Sequence, residues 1–256
     1  MSAPALEAVG LEKSFGGVRA VNDVSFSVPE GSLTALIGPN GAGKTTLFNL
    51  VTRLYEPDAG EVRFCGRPLA GLSPAGIASL GLVRTFQAAR IFPGMTALEN
   101  VLAGAHLHVR SPAWRQMLWL PAARREQREL VRSADALLDL AGLLPFRDAA
   151  ATDLPMGAQK LLEVIRALMA RPRVVLLDEP AAGLNDAETA ELAALLRAVR
   201  SSGVTVVVVE HNMSLVMGVA DRVIVVDLGA VVASGTPAEI QGNPRVIEAY
   251  VGREGA

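Results

Sequence analysis

One cysteine in 256 residues is the first scarcity, and it excludes an internal disulfide. Cys65 has no second thiol to meet, so a reducing compartment is the simpler setting. The opening stretch, "MSAPALEAVGLEKSF", lacks a basic region followed by an apolar core, and no signal peptide is expected. Long apolar runs are missing too. Stretches such as "VTVVVVE" fall far short of the ~20 residues a membrane helix needs, so any attachment to a bilayer is expected to come through a partner. Positive charge is not in surplus: 24 Lys and Arg stand against 26 Asp and Glu, and the net charge of −2 argues against a nucleic-acid partner, which would call for a basic stripe. There is no internal repeat and no low-complexity linker.

What is present in quantity is apolar residue. Half the chain is hydrophobic and a fifth is charged, enough for a proper core. In "VRAVNDVSFSV", Val24, Phe26 and Val28 fall on one side and Ser25 and Ser27 on the other, the period of a half-buried strand. "PEG" at 29–31 makes a turn, and "SLTALIG" is a buried strand running into a glycine-rich loop. "KTTLFNLVTRLY" has helical spacing and ends at the turn cluster "EPDAGE". From about 97 to 150 the chain reads as helices with no convincing strand. Strand signals return at "RVVLLDEP", followed by a helix over "DAETAELAALLRAVRSS", the strand "GVTVVVVEH" and a terminal hairpin around Leu228-Gly229. Continuous apolar strands alternating with helices predict an α/β fold with a parallel sheet covered on both faces, here interrupted by a helical insert.

The glycine-rich loop is "GPNGAGKTT": Gly38, Pro39, Asn40, Gly41, Ala42, Gly43, Lys44, Thr45 and Thr46. Its Gly38-x-x-x-x-Gly43-Lys44-Thr45 spacing, with a strand before and a helix after, is the phosphate-loop pattern in its required context. Glycines let successive backbone N–H groups turn inward onto phosphate oxygens, and the helix start adds the positive end of its dipole. Lys44 is placed to reach the β- and γ-phosphates and Thr45 to hold Mg²⁺. The bland alternative is a glycine turn with a chance lysine. Residue frequencies make that roughly one accident per hundred chains of this size, fewer still with the right flanking elements. This loop alone fits a small-molecule kinase or a GTPase as well as a mechanical ATPase.

A second motif narrows the choice. "RVVLLDEP" is a buried strand ending in Asp178 and Glu179. Side chains alternate along a strand, so these two carboxylates cannot act from the same side. Asp178 is placed to support Mg²⁺ through its water shell, and Glu179 to polarise a water for attack on the γ-phosphate. Seen alone the pair could be two solvated acids at a strand end; beside a phosphate loop that reading weakens.

On these residues the chain resembles the ATP-binding-cassette (ABC) ATPases along almost its whole length. The resemblance implies a single cassette over 4–253: a P-loop NTPase fold with a mostly parallel core sheet, an N-terminal antiparallel β part and a helical subdomain inserted at about 88–168. It implies that Phe15, in "KSFGGVRAV", stacks on adenine, although a lone phenylalanine is more often core. Gln87, in "VRTFQ", corresponds to the family's Q-loop glutamine, touching the metal or water and reporting on the membrane partner. "AAGLND", with Asn185 and Asp186, resembles the D-loop that crosses to a second subunit, and His211, after "VTVVVVE", matches the switch histidine that contacts the γ-phosphate. His106 and His108 have no such context. Both tryptophans, Trp114 and Trp119, lie in the insert, where they are better read as pegs onto the core than as anchors for a partner.

The signature loop departs from the family's usual Leu-Ser-Gly-Gly-Gln. Here it runs Leu154, Pro155, Met156, Gly157, Ala158, Gln159. Pro155 takes the place of the serine whose hydroxyl bonds the γ-phosphate held by the other subunit, and Ala158 takes that of the glutamine, with Gln159 next door. A bond of that kind to a charged phosphate is worth ~1.5–3 kcal/mol. What remains is a helix N-terminus with a glycine, still suited to an anion, and proline is tolerated at a helix start.

Several stretches, among them "IGPNGAGKTTLFN", "LLDEPAAGLN", "EHNMSLVM" and "NPRVIEAYVG", resemble ATPase subunits of branched-chain amino-acid importers, which often lack the signature serine as well. That resemblance implies ATP hydrolysis with Mg²⁺ in a head-to-tail dimer. The second ATPase is another copy of this chain or, as family precedent favours, a related chain. Two transmembrane permeases and, indirectly, an external solute-binding protein complete the assembly, with this chain peripheral on the cytoplasmic face of the membrane. Urea or another small polar solute is the competing cargo. Outside transport, a P-loop kinase would leave the signature, D-loop and His211 unexplained. A non-transport ATP-dependent clamp usually carries two cassettes or a long coiled coil, and this chain shows one cassette and no coiled coil.

Overall fold

The computed structural model describes residues 4–85, 91–107 and 121–251. Two sheets organise the chain. The first is antiparallel and combines β1 (Leu6–Phe15), β2 (Val18–Val28), β4 (Ala59–Phe64) and β5 (Arg67–Pro68) in the order β2-β1-β4-β5. The second has six strands in the order β10-β9-β3-β8-β7-β6, built from β3 (Leu33–Ile37), β6 (Leu82–Arg84), β7 (Val174–Asp178), β8 (Thr205–Val209), β9 (Arg222–Asp227) and β10 (Ala230–Gly235). All its neighbours pair in parallel except β9 and β10, which form the expected hairpin at Leu228-Gly229.

The apolar runs of the parallel strands are explained by burial on both faces. Alternate residues divide between two cores. Ala35, Val175, Leu177, Val206, Val208 and Val225 point into one, built with the helices α3 (Ala97–Ala103), α4 (Pro121–Leu140), α5 (Met156–Met169), α6 (Asp186–Ser201) and α7 (Met213–Val219). Leu36, Leu176, Val207, Val209, Ile224 and Val226 point into the other. There α1 (Lys44–Val51) packs through Leu47, Phe48 and Leu50 between the two sheets, against Leu11, Val21 and Val62 of the antiparallel one. Helices α2 (Pro74–Leu80), α8 (Pro237–Gln241) and α9 (Pro244–Val251) complete the chain.

Residue by residue, β2 shows the alternation read from the sequence, with Val24 and Val28 buried and Ser25 and Ser27 exposed. Two differences stand out. The turn cluster "EPDAGE" ends earlier than expected, because Ala59 to Glu61 already belong to β4 and pair with β1. Strand β1 itself has a broken alternation, with register shifts between Ala8 and Leu11 and again near Lys13, which hides its period in the sequence. Between residues 97 and 150 the described elements are helical, as expected, joined only by an isolated bridge between Thr96 and Ala150. No described helix is long and apolar enough to cross a membrane.

Candidate functional site

Strands β3, β8 and β7 are neighbours in the sheet although β3 lies more than a hundred residues before the other two in the chain. Their carboxyl ends carry, in turn, the Gly38 loop, Glu210 with His211, and Asp178 with Glu179. Open α/β sheets bind their ligands at this edge. Parallel pairing of Asp178 with Val209 sets the second pair of motifs side by side, and the Glu179 N–H donates to the Val209 carbonyl at 2.9 Å.

The loop from Gly38 to Thr45 is held by close backbone packing that only glycine allows at two places. A β-carbon on Gly38 would meet the Val226 carbonyl oxygen at 2.0 Å, and one on Gly43 the Ala20 carbonyl oxygen at 2.4 Å. Gly43 has a φ of 100°, the left-handed region that favours glycine, and it caps α1 with no side-chain bond to the first-turn N–H groups. The Gly229 N–H donates to the Ala42 carbonyl at 3.0 Å, fastening the loop to the terminal hairpin. Pro39, Asn40 and Gly41 form its outer rim, and Thr45 is exposed at the head of α1 beside half-buried Thr46.

Lys44 is 7% exposed and turns back along the loop, donating to the carbonyls of Gly38 at 2.6 Å and Pro39 at 3.0 Å. Burial pulls the pKa of its ammonium below the ordinary lysine value, and the nearby carboxylates of Glu179 and Asp178 act in the opposite direction. The phosphate loop and the acidic strand end, read separately from the sequence, therefore share one site. Glu179 sits at a φ of 48°, in a left-handed conformation rare for a residue with a β-carbon, and the Ala182 N–H closes a turn onto its carbonyl at 3.1 Å. His211 is exposed at the end of β8.

Phe15 lies at the end of β1, 43% exposed, in an edge-to-face pair with Tyr55 at 5.3 Å and with the Lys13 ammonium 5.6 Å from its ring centre. It is not a core residue, so the bland reading of this phenylalanine fails. Gln87, Trp114, Trp119 and His108 lie outside the described residues.

Leu154 to Gln159 lead into α5. Leu154 is buried and Pro155 is the N-cap, with no side-chain bond to the first turn. Met156 is 58% exposed, and Gly157 packs so closely on Glu188 that a β-carbon would lie 2.6 Å from its carboxylate. Ala158 packs against the helical core, and the Gln159 amide donates inward to the Leu154 carbonyl at 2.8 Å. Glu188 also joins Asn185 in a reciprocal capping box at the head of α6, where Asp186 is the first helical residue. The structure thus brings Gly157 and the Asn185–Glu188 segment against each other, while the Gly38 loop packs on β9 and β2.

A family model described as "ABC transporter" matches residues 21–182. The high-affinity branched-chain amino acid transport ATP-binding protein BraF of Pseudomonas aeruginosa is 46% identical over 98% of this chain and 99% of its own length. This chain belongs to the ABC transporter ATPases. Within that family, the corresponding LivG proteins of Salmonella typhimurium and Escherichia coli are 45% and 43% identical over the same share of the chain. A second model, described as "Branched-chain amino acid ATP-binding cassette transporter", matches residues 230–256. Among solved structures, a nucleotide-free ATP-binding cassette from an ABC transporter has a TM-score of 0.81 at 32% identity, covering 97% of this chain and 99% of that one. An ATP-binding cassette in an ADP conformation has a TM-score of 0.84 at 31% identity, covering 98% and 99%.

Two residues of this ABC ATPase site escaped the reading of its sequence. Arg84, at the end of β6, pairs with Asp178 at 2.7 Å, and both side chains are over nine-tenths buried. It also donates to Asn49 of α1 at 2.7 Å. A lone arginine in a short apolar strand three residues before Gln87 was the available signal. The other is Glu210, fully buried, which directly follows "TVVVV" of β8 as Glu179 directly follows "VVLLD" of β7. Beside the site runs a cleft of about 490 Å³, lined by Arg84, Thr85, Phe92, Gly104, Glu163 and Arg166. The Arg166 guanidinium lies 5.0 Å from the Phe92 ring centre.

Proposed function

We propose that this chain is the ATP-hydrolysing subunit of an importer, one half of a head-to-tail pair whose ATP cycle drives uptake of branched-chain amino acids through separate membrane permeases. One observation carries the reading. The Gly38 loop, Asp178 with Glu179, and His211 stand at the ends of three adjacent strands, in a chain 43–46% identical to transport ATP-binding proteins for those amino acids.

The cassette spans 4–253, with the helical subdomain at about 88–168. Backbone N–H groups of the Gly38 loop and the head of α1 cradle the phosphates, Lys44 leaves its two carbonyl partners for the β- and γ-oxygens, and Phe15 stacks on adenine. Glu179 takes the proton of the attacking water, and His211 meets the γ-phosphate. A bound Mg²⁺ supplies counter-charge to the phosphates. The Thr45 hydroxyl and, through water, the Asp178 carboxylate are the oxygen donors that suit it, with Gln87. Leu154 to Gln159 and the Asn185–Asp186 segment face the nucleotide of the second ATPase, which we take to be a sister chain. Closure of the pair would reach the permeases through the cleft beside Arg84 and Arg166, holding this chain on the cytoplasmic face of the membrane. An external solute-binding protein delivers the cargo.

The test is to substitute Glu179→Gln, tag the chain and recover it from detergent-solubilised native membranes with and without ATP. Retention of two permease-sized proteins and a sister ATPase in ATP is the expected result. Recovery of soluble partners, or of none, removes the transport reading and favours the clamp.

A further inference from the structure

We infer that Glu210 is a positioning residue for hydrolysis, holding the turn that sets Glu179 and the segment that carries His211 in one rigid unit. The inference rests on the roles proposed above for those two residues. Glu210 is fully buried, and its carboxylate accepts from backbone donors of both segments. One oxygen accepts from the Ala181 N–H at 2.7 Å; the other accepts from the N–H groups of His211 at 3.0 Å and Asn212 at 3.2 Å. Its own N–H points to the Leu36 carbonyl at 3.4 Å, two residues before Gly38. The residue therefore stands where the ends of β3, β8 and β7 meet.

The geometry explains why an acid is needed. Glu179 occupies a left-handed φ of 48°, a conformation that persists only where the surroundings hold it. The Ala182 N–H closes the turn from one side, and the Glu210 bond to Ala181 closes it from the other. No backbone carbonyl could serve Ala181, His211 and Asn212 at once. A carboxylate with two oxygens and several lone pairs can, and its bonds to N–H groups are charge-assisted. A glutamine of the same shape keeps one accepting oxygen and turns an NH₂ group towards N–H donors, so one of the two segments is released.

The experiment compares wild type, Glu210→Gln, Glu210→Asp and Glu179→Gln as full-length chains, by steady-state ATP hydrolysis and by amide hydrogen exchange. In Glu210→Gln, kcat should fall about 10- to 100-fold with KM for ATP changed less than about twofold. Exchange should quicken in peptides covering 179–184 and 210–213 and stay unchanged in α6. If Glu210→Gln does not fold, the same criteria apply to Glu210→Asp, which keeps the charge one methylene short of spanning both segments. A kcat within about twofold of wild type overturns the inference. So does a fall in kcat accompanied by faster exchange throughout the chain, which marks a purely structural role. Wild-type turnover in Glu179→Gln would instead sink the underlying assignment, so the two failures are distinguishable.

Discussion

Seven helix starts among the described residues fall into two groups. Helices α2, α3, α6, α7 and α8 each close their first turn with a side chain, from Ser73, Thr96, Asn185, Asn212 and Thr236, and three of them complete a reciprocal capping box. Helices α1 and α5 begin at Gly43 and Pro155 with no side-chain cap. A capped start has used its free N–H groups within its own chain; a bare one keeps them for something else. These two bare starts are the ones that the proposed function gives to nucleotide phosphates, one within this subunit and one across the proposed pair.

They differ from each other in what stands behind them. The head of α1 is backed by buried charge: Lys44 lies along the loop, and Arg84 joins Asn49 of the same helix to Asp178. The head of α5 carries exposed Met156 and packs Gly157 on the Glu188 carboxylate, and its buried cation, Lys160, stands just beyond the first turn. A cation at one bare start and a carboxylate against the other is a difference that the proposed exchange of halves between two subunits would use.

The largest effect should come from breaking the charge behind α1. Arg84→Ala leaves Asp178 buried without its partner and should cost about 3–5 kcal/mol by denaturant unfolding. A cost below about 1 kcal/mol would mean that Lys44 or water takes over the carboxylate. Next, Lys44→Ala should weaken ATP binding by about 1.5–3 kcal/mol, roughly 10- to 150-fold in Kd by titration with a fluorescent nucleotide. An unchanged Kd would remove the lysine from the phosphates. At the other bare start, Pro155→Ser restores a hydroxyl and should raise basal ATP turnover about tenfold or more. Unchanged phosphate release would show that α5 acts through backbone groups alone. The smallest effect belongs to a capped start: Thr236→Ala should lower stability by about 1 kcal/mol and leave the Kd for ATP within about twofold.

Much of this was legible because its causes are local. Gly38 and Gly43 mark a loop that brings backbone within contact of backbone, and the helix after it follows from spacing. The β9–β10 hairpin and the two-faced strands carry their periods in plain view. Arg84 and Glu210 were not legible. A charged residue at the end of an apolar strand says nothing of its partner, and those partners, Asp178 and Ala181, are distant in sequence or held by another strand. Strand β1 was missed for a different reason, since its bulges interrupt the alternation that identifies a strand.

The sequence by itself determined which residues can hold phosphate, support a cation and activate water, because those capacities belong to residue types and short backbone shapes. Only the tertiary structure decided that they stand together. The order β3-β8-β7 is not the order of the chain, and parallel strands meet only through long crossovers. Burial of alternate faces in two separate cores selects that arrangement, and it places Lys44, Asp178, Glu179, Glu210 and His211 at one edge of one sheet.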